Sequence, residues 1–130
     1  PPSKKHASIS NNQDLINEVK KSSPQRIILF RAGLIINKSV ISLGVPLLNV
    51  HCAKIPEFGG IGSIAKALRN KSFEQEATLH KVSKKIDEGK VIDTEKFSLN
   101  PDASYCKNET IAYNAGIRLL KRIVEQEAFS

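Results

Sequence analysis

Apolar residues in this chain fall into short runs of strand length, separated by stretches whose apolar positions return every three or four residues, as in an alternating α/β polypeptide. Pro1 to Ser10 carries Lys4, Lys5 and His6 with almost nothing to bury, so residues 1–10 read as a polar tether. From Asn12, read as a helix cap, Leu15, Ile16 and Val19 fall on one face of a helix that Ser22, Ser23 and Pro24 stop. Arg26 to Phe30 is a continuous apolar run, the pattern of a strand buried on both faces of a parallel sheet. Ala32-Gly33 ends it, and Gly33 permits a positive φ or a close approach to the backbone, either of which suits a ligand. Asn37 to Leu43 predicts a short helix with Val40, Ile41 and Leu43 inward, closed by Gly44. Pro46 to His51 is a second apolar strand, with proline at its first residue, where a missing N–H is tolerated.

Cys52 to Gly62 predicts a loop whose glycines match neither a Walker A loop nor a dinucleotide fingerprint. Ile64, Ala65, Ala67 and Leu68 mark a helix ending near Asn70, and Lys71 to Gln75 reads as a polar turn. Ala77 to Val82 alternates apolar with polar, predicting a half-exposed strand in which His80 shares the parity of Thr78 and Val82, leaving its role open. Lys84 to Lys90 predicts a hairpin loop, with Asp87 at its tip, leading into a short strand at Val91-Ile92. After a turn at Asn100-Pro101-Asp102, a last helix runs from about Asn108 to Glu127. Its inward stripe is Ile111, Ala112, Ala115, Leu119, Leu120 and Ile123, with Lys121 and Arg122 facing water. This order implies one α/β domain over residues 1–130, built on a mostly parallel sheet that ends in an antiparallel hairpin. So narrow a sheet exposes a buried-type edge beside the first apolar run, and a missing N-terminal segment or an oligomer partner is expected to cover it.

Composition narrows the partners. A formal charge of +7 on 130 residues favours anionic molecules such as nucleic acid, a nucleotide sugar or a polyglutamylated cofactor. No aromatic-and-basic RNA-binding motif and no zinc-ligand spacing is present, so no metal is expected. Two cysteines without CxxC spacing, no signal peptide and no apolar run of bilayer length give the expectation of a cytoplasmic protein without membrane contact. Cys52 adjoins His51, but neighbours on an extended strand face opposite sides, which separates the thiol from the imidazole.

The candidate chemistry lies at the end of the second strand. Asn49 and His51 are two residues apart, so they project to one side as the strand reaches the carboxyl edge of the sheet, where open α/β folds place ligands. If the hairpin tip meets them, Asp87 adds a carboxylate to an amide and an imidazole, giving a hydrogen-bond donor, a proton carrier and a base. The alternative assigns Asn49 to loop backbone, His51 to a hydrogen-bonded core histidine and Asp87-Glu88-Gly89 to a solvated turn.

Asn49-x-His51, Pro56 five residues after the histidine, Gly60 four further on, and Asp87 thirty-six after the histidine in an Asp-x-Gly loop ending at Gly89 form one spaced pattern. Together with Gly33 to Ile36, Thr78-Leu79-His80 and Ile86 to Ile92, it resembles the folate-dependent formyltransferases, which act on methionyl-tRNA, glycinamide ribonucleotide or amino sugars. The resemblance covers Asn12 to the C-terminus and implies a Rossmann-like formyltransferase sheet, represented by the later part of its catalytic domain without the N-terminal βαβ portion. One departure lies next to the histidine: Ala53-Lys54-Ile55-Pro56 stands where family members usually have Ser-Leu-Leu-Pro, which leaves the acceptor open.

The activity implied is transfer of a formyl group from 10-formyltetrahydrofolate through an oxyanion intermediate. The acceptor is an anionic amine: methionyl-tRNA, an amino-sugar nucleotide or glycinamide ribonucleotide. By similarity, Asn49 donates to the formyl oxygen, His51 as imidazolium stabilises the oxyanion, and Asp87 pairs with His51 and relays a proton through water. The resemblance assigns the folate pteridine to backbone at Ala32, Gly33 and Leu34 and at Lys84, Lys85, Ile86, Glu88 and Gly89. Two other outcomes of the same residues are a formyltetrahydrofolate hydrolase, with water as acceptor, and a non-catalytic basic RNA-binding remnant.

Overall fold

The computed structural model describes residues 9, 11–30, 36–55, 58, 62–82 and 90–128. Their order is α1 (Asn12–Ser22), β1 (Ile27–Phe30), α2 (Lys38–Ile41), β2 (Leu47–His51), α3 (Ser63–Arg69), β3 (Glu74–Lys81), β4 (Val91–Ser98) and α4 (Tyr105–Ala128). The strands form one four-stranded sheet in sequence order, β1-β2-β3-β4, so β1 is outermost among the described residues. β1 and β2 are parallel, whereas β3 is antiparallel to both β2 and β4. The sheet is therefore α/β and mixed. The expected mostly parallel arrangement holds for the β1–β2 pair alone, because the chain after α3 turns back at Ser72 and enters the sheet in the opposite direction.

Strand parity divides the core in two. Ile28, Phe30, Leu48, Val50, Ala77, Leu79 and Phe97 turn to the face covered by α3 and α4, where Ile64, Ala67, Ala112, Ala115, Leu119 and Ile123 meet them. Leu29 and Leu47 turn to the opposite face and pack with Leu15 and Val19 of α1 and Val40 of α2. A one-residue slip of any strand would exchange these sets, which fixes the register. Asn49 and His51 have the parity of Leu47, so β2 carries them along the α1–α2 face.

Local chemistry sets the element ends. Asn11, rather than Asn12, caps α1: its side chain accepts from the Asp14 N–H at 2.8 Å. Asn12 Oδ1 instead accepts from the Asn37 N–H at 3.0 Å, tying α1 to the start of α2. Gly44 takes the left-handed conformation, φ 76°, in the turn that leads into β2. Glu74 and Gln75, expected in a turn, belong to β3, and β4 extends well beyond Val91-Ile92. α4 begins three residues earlier than Asn108, where Ser104 Oγ accepts from the Lys107 N–H at 3.1 Å. Asn108 is fully buried and holds the preceding turn, accepting from the Asn100 N–H at 2.7 Å and donating to the Asn100 carbonyl at 2.9 Å.

Charged residues disguised β4 in the sequence, and α4 explains them. Arg122, expected to face water, reaches Asp93 at 2.9 Å, Glu95 at 2.9 Å and the Thr94 carbonyl at 3.0 Å, and Arg118 joins Glu95 at 2.8 Å. Hydrogen bonds from Arg118 and then Arg122 hold the Glu95 carboxyl below its ordinary range, and those that Arg122 donates to Glu95 and then Asp93 raise its guanidinium. A depressed carboxylate adds stability that is complete above its unfolded value and lost as pH falls through its folded one. Arg122→Gln is therefore expected to cost about 1 kcal/mol at neutral pH, the group being partly exposed, and progressively less in acid. Urea melts at pH 7 and pH 3 check this, and an equal loss at both would contradict it.

Candidate functional site

β2 brings Asn49 and His51 together at its carboxyl end. Both are half-buried, and Asn49 Nδ2 lies 3.4 Å from His51 Nε2. Asn49 Oδ1 is covered and has no hydrogen-bond partner among the described residues. An amide exchanges its oxygen and nitrogen by a half-turn, and the hydrogen-bond network decides which way it points. When His51 carries a proton on Nε2, the amide oxygen is the group that suits it. The NH₂ then takes the covered position, with the Nε2 proton given to the amide oxygen. A free amide donor beside a ring that can carry positive charge suits a carbonyl oxygen developing negative charge.

Two residues of β3 brace this end of β2. Thr78 stands directly opposite His51 and is 2 % exposed. Its hydroxyl donates to the Ala53 carbonyl at 3.2 Å. Gln75, also buried, accepts the Lys54 N–H on Oε1 at 3.0 Å and donates to the Ser72 carbonyl at 2.8 Å. The segment after the histidine is thus held from below by side chains that read in the sequence as a strand residue and a turn residue. Their signal was polar residues whose partners lie more than twenty positions away, which periodicity does not reveal.

His80 stands opposite Asn49 and on the same face, and its ring stacks on that of His51 with centroids 5.1 Å apart and planes 5° from parallel. The parity shared with Thr78 left its role open in the sequence. The cross-strand register resolves it into a neighbour of the candidate centre. Cys52 lies on the far side: its Sγ faces Gly116 of α4, as expected for the residue after His51 on an extended strand.

Asp87, the third member of the proposed group, lies outside the described residues, as do Ala32, Gly33, Leu34, Lys84, Lys85, Ile86, Glu88 and Gly89, and Pro56 and Gly60 of the spaced pattern. Among the described residues no group of three or more His, Cys, Asp or Glu side chains is arranged to hold a metal ion. Likewise no described helix is long and apolar enough to cross a membrane.

Comparison with known proteins gives the family and the fold. A family model described as formyl transferase matches residues 2–115. The methionyl-tRNA formyltransferase of Sulfurihydrogenibium sp. is 23% identical over 119 residues, covering 91% of this chain and 38% of the relative. That of Coprothermobacter proteolyticus is 29% identical over 91 residues, covering 69% of this chain and 30% of the relative. The chain therefore spans well under half the length of these relatives. Among solved structures, phosphoribosylglycinamide formyltransferase from Streptococcus pneumoniae superposes with a TM-score of 0.73 at 22% identity, covering 91% of this chain and 66% of that one. A formyltetrahydrofolate deformylase from Pseudomonas syringae superposes with a TM-score of 0.65 at 16% identity, covering 88% and 40%. At these identities the structural likeness is one of fold.

Proposed function

Because the chain belongs to the formyl transferase family, we propose that Asn49 and His51 form the formyl-binding part of a centre that moves a formyl group from 10-formyltetrahydrofolate to an amine. The observation that carries this reading is the contact of 3.4 Å between the Asn49 amide and the His51 imidazole, on one sheet face at the end of β2. It sets an amide donor beside a ring that can carry positive charge, an arrangement a formyl oxygen fits. When bound, 10-formyltetrahydrofolate supplies the electrophilic formyl carbon. Asn49 donates from its NH₂, and His51, charged, opposes the negative charge that grows on the formyl oxygen as the amine attacks.

Asp87 completes the proposal as the carboxylate that pairs with His51, favours the imidazolium and relays the amine's proton through water to the folate nitrogen, which leaves as its bond to the formyl carbon breaks. The backbone of Ala32, Gly33 and Leu34 and of Lys84, Lys85, Ile86, Glu88 and Gly89 is proposed to hold the pteridine. The acceptor is proposed to be an anionic, amine-bearing molecule, tRNA or a nucleotide-linked amine, drawn in by the net charge of +7.

The test incubates the chain with 10-formyltetrahydrofolate and, separately, methionyl-tRNA, glycinamide ribonucleotide and an amino-sugar nucleotide. Mass spectrometry reads the formylated amine, and absorbance reads tetrahydrofolate release. A formylated product with any of the three is expected. Formate released at the same rate without any amine would replace transfer by hydrolysis, and no binding of the folate by calorimetry would defeat the reading.

A further inference from the structure

We propose that His80 is a positioning residue for His51, a pinned aromatic plane that sets the orientation of the working imidazole. The inference rests on the reading above for the role of His51 and on four observations of its own. The two rings are parallel within 5° and 5.1 Å apart, so the face of one fixes the tilt available to the other. The ring of His80 is itself pinned: Nδ1 lies 2.9 Å from the Lys81 carbonyl. A carbonyl only accepts, so Nδ1 is the donor and rotation of the ring is stopped in one state. The strand pairing is irregular at this residue. Leu79 pairs with Asp93 but His80 with Val91, which leaves Ile92 as an extra residue on β4. Such bulges re-aim the side chains beside them.

The fourth observation separates positioning from plain packing. His80 Nε2 is covered and has no hydrogen-bond partner among the described residues. An unmatched buried acceptor opposes folding, and buried polar atoms of structural side chains are normally matched. A phenyl ring would stack in the same place without that burden, but it has no Nδ1–H to hold it against the Lys81 carbonyl. The histidine is therefore the residue that offers a fixed plane, at the expense of stability.

His80→Phe and His80→Ala test this in the full chain. Phe is expected to raise the melting temperature while lowering kcat for formyl transfer about tenfold, with KM for folate and amine unchanged within about twofold. Ala, which loses pin and plane, is expected to lower kcat further. Opposite movement of stability and kcat is something a merely structural ring would not produce. Unchanged kcat in His80→Phe, or a kcat that falls only together with the melting temperature, would overturn the proposal.

A second measurement needs no activity. Long-range ¹H–¹⁵N spectra of the unmutated protein are expected to show His80 protonated at Nδ1 and not at Nε2. They are also expected to show His51 ring resonances that broaden or shift in His80→Phe. The reverse tautomer, or identical His51 resonances in both proteins, would overturn the role of His80 whether or not the chain transfers a formyl group. Absence of transfer in the unmutated chain, with these spectral results as expected, would instead remove the proposed reaction and leave the positioning intact.

Discussion

His51→Ala is expected to reduce formyl transfer about a hundred- to a thousandfold, the usual consequence of removing a donor aimed at transition-state charge. The loss is expected in kcat, with KM for the folate little changed, because the interaction strengthens only as charge appears on the formyl oxygen. Stability should barely move. His51 is half-buried at the last position of β2, and the core beneath it is supplied by Val50 and Leu79, both with no exposed surface. Asp87→Asn is expected to cause a comparable loss by a different route, since an amide keeps the size of the side chain but removes the charge proposed to hold His51 as imidazolium. The two variants are expected to be non-additive, the double variant being about as slow as the worse single one, because both act on the same charge. Circular dichroism confirms the fold, and initial rates with a matched acceptor decide the outcome. Rates within threefold of the unmutated chain for either variant would remove that residue from the mechanism.

The residues of this centre differ in how openly the sequence displays them, and the reason is range. Asn49 and His51 are two apart on a strand whose apolar run is continuous, so parity alone puts them on one face, and the register with β3 bears this out. The two short strands β1 and β2 and the helices α1 to α3 were legible for the same reason: their signals are local. β4 was legible only at its start, because Asp93 and Glu95 look solvated until Arg118 and Arg122 arrive from α4. The direction of β3 could not be read at all, since nothing in an alternating strand says which way it enters a sheet. His80, Thr78 and Gln75 share that limit: each acquires its meaning from a partner across a strand boundary. The spaced pattern from Asn49 to Gly89 carried the family where periodicity could not, because its offsets are independent of the conformation between them.

One position ties the far face of the sheet to this centre, and its substitution is expected to have the largest effect on stability. Gly116 sits in α4, where a Cβ would lie 2.6 Å from Cys52 Sγ and 3.0 and 3.1 Å from two carbons of the Phe30 ring. The glycine therefore lets α4 lie against β1 and β2 at the residue that follows His51. Gly116→Val adds a branched side chain to this contact and is expected to destabilise by about 3 kcal/mol, at the upper end of overpacking costs. Gly116→Ala is milder, because the gain of about 1 kcal/mol in helix propensity offsets part of the clash. The clash has an identifiable partner. Cys52→Ala removes the sulfur nearest the new carbon, so Gly116→Ala is expected to cost less in the Cys52→Ala background than in the unmutated chain, a positive coupling that a double-mutant cycle of urea melts measures. Phe30 remains close in both, and its ring also meets Tyr113 edge-on at 5.4 Å, so the recovery is expected to be partial. Additive single and double variants would mean that α4 shifts as a whole, so that the sulfur is not what the new carbon meets.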